Sequence, residues 1–488
     1  MVLHTTGSIL ILEAALLLLP AVVGVIYSDP TTGAILISAG ITAAAGLLLY
    51  AVRPQTKTIY AREGFIIVAL SWILLSCCGA LPFLISGRIP RFVDAFFETV
   101  SGFTTTGATI LRVVEPLGYA LLFWRSFTHW VGGMGVLVFC LVIVPMGGTR
   151  SIHIMRAEVP GPTKNKLVPK LRSTARILYG IYFGMTAIEV ILLCAGGMPL
   201  YDSLINSFGS AGTGGFSCKT LSIAAYNSPY AEMVISVFML MFGVNFNLYY
   251  LILIKRGREA FKSEELRTYL AIVAFSVITI ALNIRGEYAD YVQAFRFSFF
   301  QVSSIITTTG FSTTDFNLWP QYSRMLLVLL MFIGACASST GGGIKVSRIL
   351  LLSRMAKQGL RRMVHPHAVT IVQMDGKSVD SAVLYSSSVY LVLYVIIAAA
   401  STLILSADNF SFETNFSAMA ACFNNVGPGL DIVGAAGNYG DFSPISKLVL
   451  SFDMLAGRLE IFPLLILFSP DAWKKRNCVQ SSDAKAQA

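Results

Sequence analysis

Apolar stretches of about 20 residues, the length a helix needs to cross a bilayer core, recur from one end of the chain to the other. The first two, over 9–27 and 34–51, follow each other at once and predict a helical hairpin. The first has neither a basic start nor a small-residue cleavage pattern, so it reads as a retained helix rather than a signal segment. Beyond the hairpin a compound pattern repeats: a long apolar helix, a polar turn, a shorter semi-polar helix, a Thr/Gly-rich stretch, and a second long apolar helix. The first copy predicts helices over 65–84, 93–103 and 119–144, and the second over 177–195, 201–209 and 231–254. The third predicts 269–284, 291–304 and 325–352, and the fourth 385–405, 412–422 and 448–469.

Backbone groups in lipid must be satisfied within their own segment, so these runs mean helices rather than barrel strands. The expected class is an all-α polytopic membrane protein. It would have four pseudo-symmetric helix–pore loop–helix repeats around one pore, plus an N-terminal two-helix hairpin. The division that follows is a hairpin over 1–62, repeats over 63–150, 151–260 and 261–365, and a fourth repeat with a tail over 366–488.

Composition agrees: of 488 residues, 55% are hydrophobic and 13% charged, too little charge to cover a water-soluble surface of this size. The net charge of +10 changes the picture only through its placement. Basic residues gather in alternate loops, at Arg53–Arg62, Arg150–Arg176, Lys255–Arg267, Lys345–Arg362 and Lys474–Arg476, while the intervening loops are neutral or acidic, with Arg88 and Arg91 as minor exceptions. That is the positive-inside bias; it predicts both termini in the cytoplasm and removes the need for a nucleic-acid partner. The eight cysteines show neither metal-ligand spacing nor a disulfide framework.

The short helices are too short to span and carry Ser101, Ser207, Ser303, Ser304 and Asn415. They are either surface loops or re-entrant segments, which are tolerated only inside protein or beside a water-filled cavity. The four stretches that follow them share a character: 104–109 (TTTGAT), 211–216 (AGTGGF), 307–312 (TTTGFS) and 424–429 (NNVGPG). Glycine permits positive φ and close approach of chains, and extended backbone can aim carbonyl oxygens at a dehydrated monovalent cation. The central glycines align as Gly107, Gly214, Gly310 and Gly427. The expected ion-binding backbone is therefore Thr105, Thr106 and Gly107; Thr213 and Gly214; Thr308, Thr309 and Gly310; Asn425, Val426 and Gly427. Re-entrant helices ending there would direct their partial negative charge toward the ion path.

The last helix of the third copy is interrupted at Ser339, Thr340, Gly341, Gly342 and Gly343, followed by Lys345. Each glycine costs about 1 kcal/mol relative to Ala in a helix, which favours an unwound loop over a kink. The glycines do not make a nucleotide P-loop, which needs G-x-x-x-x-G-K-[ST] between strand and helix. Arg458 lies within the final apolar run, where an arginine costs about 2.5–3.5 kcal/mol and so requires a cavity or a partner, such as Glu460 or Asp453. Glu13, Glu189, Asn245 and Asn247 are expected to form hydrogen bonds across helices.

These motifs, with Trp124-Arg125-Ser126, Gly132-Gly133-Met134-Gly135 and Gly457-Arg458-Leu459-Glu460, resemble the Trk/Ktr/HKT superfamily of potassium transporters, nearest its TrkH-like bacterial members. The resemblance covers essentially the whole chain. It implies potassium uptake through a carbonyl-lined filter in a bacterial inner membrane, with Gly107, rather than Ser, favouring K⁺ over Na⁺. It also implies a gate at the Gly-rich loop (Ser339–Gly343, Lys345) and a pore barrier at Arg458. The implied assembly is a homodimer in membrane lipid, controlled by a TrkA-like cytosolic subunit that binds a nucleotide (ATP/ADP or NAD(H)), with no covalently bound cofactor. Symport of K⁺ with H⁺ or Na⁺, or a less selective K⁺/Na⁺ transporter, are the alternatives. Nothing at membrane depth pairs carboxylates or a nucleophile with a base, so an enzyme is not expected.

Overall fold

The computed structural model describes residues 1–52, 61–135, 171–367 and 371–473. The basic loop residues from Arg150 to Lys170, the basic tail at Lys474–Arg476 and the predicted continuation of one helix to residue 144 lie outside them. The described residues are mostly helical, with one two-stranded ribbon of two residues per strand. Six helices are long and apolar enough to cross a membrane, and a seventh span counts if a bent pair is taken as one.

The N-terminal hairpin comprises Val2–Leu16, Leu18–Ile26 and Thr32–Ala51. Its arms meet at Gly7, where a Cβ would stand 2.5 Å from the Tyr50 amide nitrogen and 2.7 Å from the Gly46 carbonyl oxygen. Small residues let helix backbones touch where lipid supplies no hydrophobic drive. At its tip the Asp29 carboxylate accepts hydrogen bonds from the Thr31 amide and hydroxyl and from the Ala120 amide. Partial burial alone would raise the Asp29 pKa; the donated N–H and O–H groups outweigh it and hold it below the ordinary 3.8. This one carboxylate docks the hairpin onto the first repeat.

Each repeat has a lead helix, a short pore helix and a return helix. The lead helices are Ala61–Gly79 (continued by Leu81–Ile85), Leu171–Ala195, Glu264–Asn283 and Ser381–Leu405. The pore helices, Phe92–Phe103, Leu200–Gly212, Tyr291–Ile306 and Phe412–Phe423, have 12, 13, 16 and 12 residues. At about 1.5 Å per residue none crosses a bilayer core of about 30 Å. Ser101, Ser207, Ser303 and Ser304 are fully buried and Asn415 nearly so, which places these helices inside protein and excludes surface loops. Many of the apolar side chains left exposed, among them Val25, Leu48, Ile191, Ile278 and Leu403, lie on the hairpin and lead helices.

The return helices correct the sequence reading, which made three of them continuous. The first is described as Tyr119–Gly133. The second is Pro229–Phe242 then Phe246–Leu253, bent by 91°. Gly243 ends the first half, and the Asn245 side chain caps the second by accepting from the Asn247 amide, while also bonding the Glu265 carboxylate across helices. The third runs Gln321–Ile333 and resumes at Val346–Val364. The fourth stops at Arg458 and resumes at Phe462–Phe468, because Glu460 and Ile461 take φ of +55° and +68°. Glu13, also expected to bond across helices, is buried with neither carboxylate oxygen accepting a hydrogen bond from the described residues.

Candidate functional site

All four pore helices end the same way. A non-glycine residue with left-handed φ follows each: Thr105 at +56°, Thr213 at +55°, Thr308 at +58° and Asn425 at +56°. The next amide reaches back five residues, Thr106 to Ser101, Gly214 to Gly209, Thr309 to Ser304 and Val426 to Ala421, at 2.8–2.9 Å. The left-handed residue's own amide bonds three back, completing a Schellman closure in every copy. A β-branched residue at positive φ is uncommon, and here it occurs three times at one equivalent place.

This closure fixes the register and corrects it in the second repeat. Gly214 is the counterpart of Thr106, Thr309 and Val426, and the counterpart of Gly107, Gly310 and Gly427 is Gly215. The φ values agree: +80° at Gly107, +76° at Gly215, +84° at Gly310 and +95° at Gly427.

The four segments meet in a closed ring. A Cβ on Gly107 would stand 2.1 Å from the Gly214 carbonyl oxygen, and one on Gly215 2.1 Å from that of Thr309. One on Gly310 would stand 2.2 Å from the Val426 oxygen, and one on Gly427 2.6 Å from that of Thr106. Each glycine thus faces the preceding carbonyl of the next repeat, and the fourth returns to the first. All the expected ion-binding residues lie in these segments. Among the described residues no cluster of three His, Cys, Asp or Glu side chains could hold a metal ion; the oxygens on offer here are carbonyls and hydroxyls.

Behind the ring the bracing differs between copies. The Thr104 and Thr106 hydroxyls lie 2.8 Å apart, as do those of Thr307 and Thr309. Asn425 instead crosses repeats, donating to the Thr106 hydroxyl at 3.0 Å and to the Met454 carbonyl at 2.9 Å. The Tyr439 hydroxyl donates to the Gly427 carbonyl at 2.7 Å. Sequence reasoning missed a buried ion pair here, Arg125 with Glu98 at 2.7 Å. Glu98 also accepts from the Thr109 hydroxyl and the Ile110 amide, anchoring the strand that leaves the ring. Arg125 was noticed only as part of a motif; its opposite charge on the preceding pore helix was the available signal.

On the side where the pore helices end, residues 334–345 of the third return helix form a loop against the ring. The Gly342 amide donates to the Thr308 hydroxyl at 2.6 Å, and the Gly343 amide to the Asn424 carbonyl at 3.1 Å. The loop also docks on the break in the second repeat: Cys336 donates to the Gly243 carbonyl, Phe246 to that of Ser338, and the Thr340 hydroxyl to that of Phe242. Glu265 holds both shoulders, accepting from the Ala337 amide at 2.6 Å and the Ser347 amide at 3.2 Å. The Lys345 ammonium is buried and donates to the Gly341 carbonyl, while the Ser339 hydroxyl bonds the Cys336 carbonyl.

Arg458 completes this layer. Its guanidinium donates to the Thr340 carbonyl of the loop at 2.7 Å and to the Gly132 and Gly133 carbonyls at 2.6 and 2.7 Å. The two carboxylates offered by the sequence have partners of their own. Glu460 pairs with Arg348 at 2.8 Å, with Arg348 over the Tyr390 ring, and Asp453 accepts from the Ser401 hydroxyl. Helix-end carbonyls carry partial negative charge, which suits them to a cation. Arg458 and the loop together reach all four repeats beneath the ring.

Comparison with known proteins accounts for this architecture. The family model of TrkH, described as cation transport protein, matches residues 33–475. The Trk system potassium uptake protein TrkH of Salmonella typhimurium is 36% identical, covering 96% of this chain and 98% of the relative. TrkG of Escherichia coli, named likewise as a Trk system potassium uptake protein, is 33% identical over 96% and 98%. The crystal structure of the potassium transporter TrkH from Vibrio parahaemolyticus superposes with a TM-score of 0.87 at 33% identity, covering 97% of this chain and 99% of that one. A likeness that runs through all four repeats at this identity reflects common descent: the chain belongs to the TrkH family of cation transport proteins.

Proposed function

We propose that this protein takes up potassium through the ring of glycine-centred segments, with the loop over 334–345 as its gate. The observation that carries the reading is the closed ring of contacts, Gly107 to Gly214, Gly215 to Thr309, Gly310 to Val426 and Gly427 to Thr106. A potassium ion leaving water needs its shell of oxygens replaced, and four carbonyls held at one level by their neighbours offer that. The pore helices end at the ring, so their partial negative charge falls on the ion path. Beneath it the loop and the Arg458 guanidinium stand across the path in the closed state. Opening requires the loop to exchange its few hydrogen bonds for water.

The relatives are named as uptake proteins of a Trk system, which supports potassium as the ion and a further component as regulator. That component would be a soluble nucleotide-binding subunit, docked on the basic loops of a homodimer in the bacterial inner membrane, with both termini cytoplasmic. The test is ion-replacement flux in liposomes with K⁺, Rb⁺, Na⁺ and Li⁺. K⁺ and Rb⁺ should pass well ahead of Na⁺ and Li⁺, and Gly107→Ser should narrow the gap. Equal passage of Na⁺ and K⁺ in the unaltered protein would overturn the potassium assignment.

A further inference from the structure

At the position before the ring glycine, three repeats carry a side chain, Thr106, Thr309 and Val426, and the second carries none, Gly214. The space is not empty. A Cβ built on Gly214 would lie 2.4, 2.5 and 2.5 Å from Cγ, Cδ2 and Nδ1 of His129. The imidazole belongs to the return helix of the first repeat and is completely buried. Its Nδ1 donates to the Gly102 carbonyl at 2.7 Å, near the end of the first pore helix, and its Nε2 has no hydrogen-bond partner among the described residues.

The ring is held from behind as well. It packs on Phe216, with centroids 4.2 Å apart, two residues after Gly214. The Arg125 guanidinium sits 3.4 Å from the centroid of Phe216 and is fixed by Glu98, which in turn holds Thr109 and Ile110. One buried chain of contacts therefore runs from the first repeat's strand, through the imidazole, to the second repeat's backbone.

We propose that His129 is a specificity-determining positioning residue: it takes the place of the side chain missing at Gly214 and sets where the Gly214 carbonyl stands against Gly107. This deepens the proposed function and rests on it. A carbonyl ring discriminates ions through the position and stiffness of its oxygens. Three copies obtain that stiffness from a side chain of their own or of a facing segment; the second obtains it from a neighbour's imidazole.

A size exchange tests the inference, with permeability ratios as the readout and monodisperse purification as the check on folding. His129→Ala should lower K⁺-over-Na⁺ discrimination roughly fivefold or more, since a freed oxygen loses its reference position. His129→Gln keeps a donor for the Gly102 carbonyl and should fall between the two, which covers the case in which the alanine variant does not fold. Gly214→Ala alone should lower K⁺ flux roughly tenfold or more, because its methyl collides with the imidazole, and the double variant should recover most of that loss. Unchanged selectivity in the His129 variants, or a double variant no better than Gly214→Ala, would overturn the proposal. If the unaltered protein itself fails to prefer K⁺, the parent reading is the one that falls.

Discussion

The ring and the loop beneath it are in hydrogen-bond contact, yet different forces hold them. In the ring the neighbour of each glycine is a backbone oxygen, and one added carbon would stand 2.1–2.6 Å from it. Backbone closed on backbone in this way, with four identical helix endings behind it, has one arrangement. The loop also approaches backbone closely, a Cβ on Gly342 standing 2.3 Å from the Asn424 carbonyl oxygen, and it makes backbone bonds to Asn424, Gly243 and Phe246. It is tied as well by side chains that could equally bond water: the Thr308 and Thr340 hydroxyls, the Glu265 carboxylate and the Arg458 guanidinium. Such bonds contribute about 0.5–1.5 kcal/mol each net, or 1.5–3 kcal/mol when one partner is charged. The ring closes backbone on backbone; the loop adds exchangeable side-chain bonds to its backbone contacts.

The largest expected effect comes from breaking the ring. In Gly310→Ala the new methyl would meet the Val426 oxygen at 2.2 Å and the Pro428 ring at 2.8 Å, at a φ of +84°. That φ alone costs an L-residue about 1–2 kcal/mol, and the collision must spread the segments further. Potassium flux in liposomes should fall by about a hundredfold or more, since the oxygens lose a common position. Flux near that of the unaltered protein would mean that ions do not pass this ring.

Arg458→Ala acts on the other member of the comparison and with the opposite sign. It removes three charge-assisted bonds to the Thr340, Gly132 and Gly133 carbonyls. Even 1.4 kcal/mol lost from the closed arrangement shifts the open-to-closed ratio about tenfold, and single-channel open probability should rise accordingly. Arg458→Lys should give a smaller rise, because an ammonium point charge does not fork to carbonyls of both the loop and a helix end. An open probability that falls, or stays put, would remove Arg458 as a latch.

What the sequence made legible follows the same divide. Four Thr/Gly segments stood out because a left-handed turn and a close backbone approach both demand glycine. The second register slipped because Gly214 and Gly215 are adjacent and composition does not say which takes positive φ. Only the Schellman closure at Thr213 decides it. The loop announced itself through Gly341, Gly342, Gly343 and Lys345, but its start at Gly334 did not, since the residues before the glycines are nearly as apolar as any span. The break at Glu460 and Ile461 had its signal in Pro463, in the first turn of the resumed helix, but a β-branched residue at φ +68° was not to be read from sequence. Arg458 misled for a related reason: charge reasoning looks for carboxylates, while it donates to carbonyls of the loop and of a helix end. His129 was passed over because a lone histidine has no motif, and what it replaces is visible only once the register of Gly214 is known.

The smallest expected effect lies in a third region that should leave ring and loop alike untouched. Asp431, exposed in the connection after the fourth segment, accepts from the Thr414 and Ser411 hydroxyls at the start of the fourth pore helix. Those two bonds hold its carboxyl below the ordinary 3.8. A carboxylate depressed in the folded state contributes stability that is present above its unfolded pKa and lost as pH falls through the folded value. Asp431→Asn lacks that contribution at every pH. The purified variant should therefore melt about 1–2 °C lower at pH 7, with the gap closing in acid as the unaltered protein loses the same increment. Ion selectivity and open probability should match the unaltered protein. A gap that widens below pH 4 would show that the hydroxyls favour the protonated acid, and a change in selectivity would show that this outer connection, too, bears on the ring.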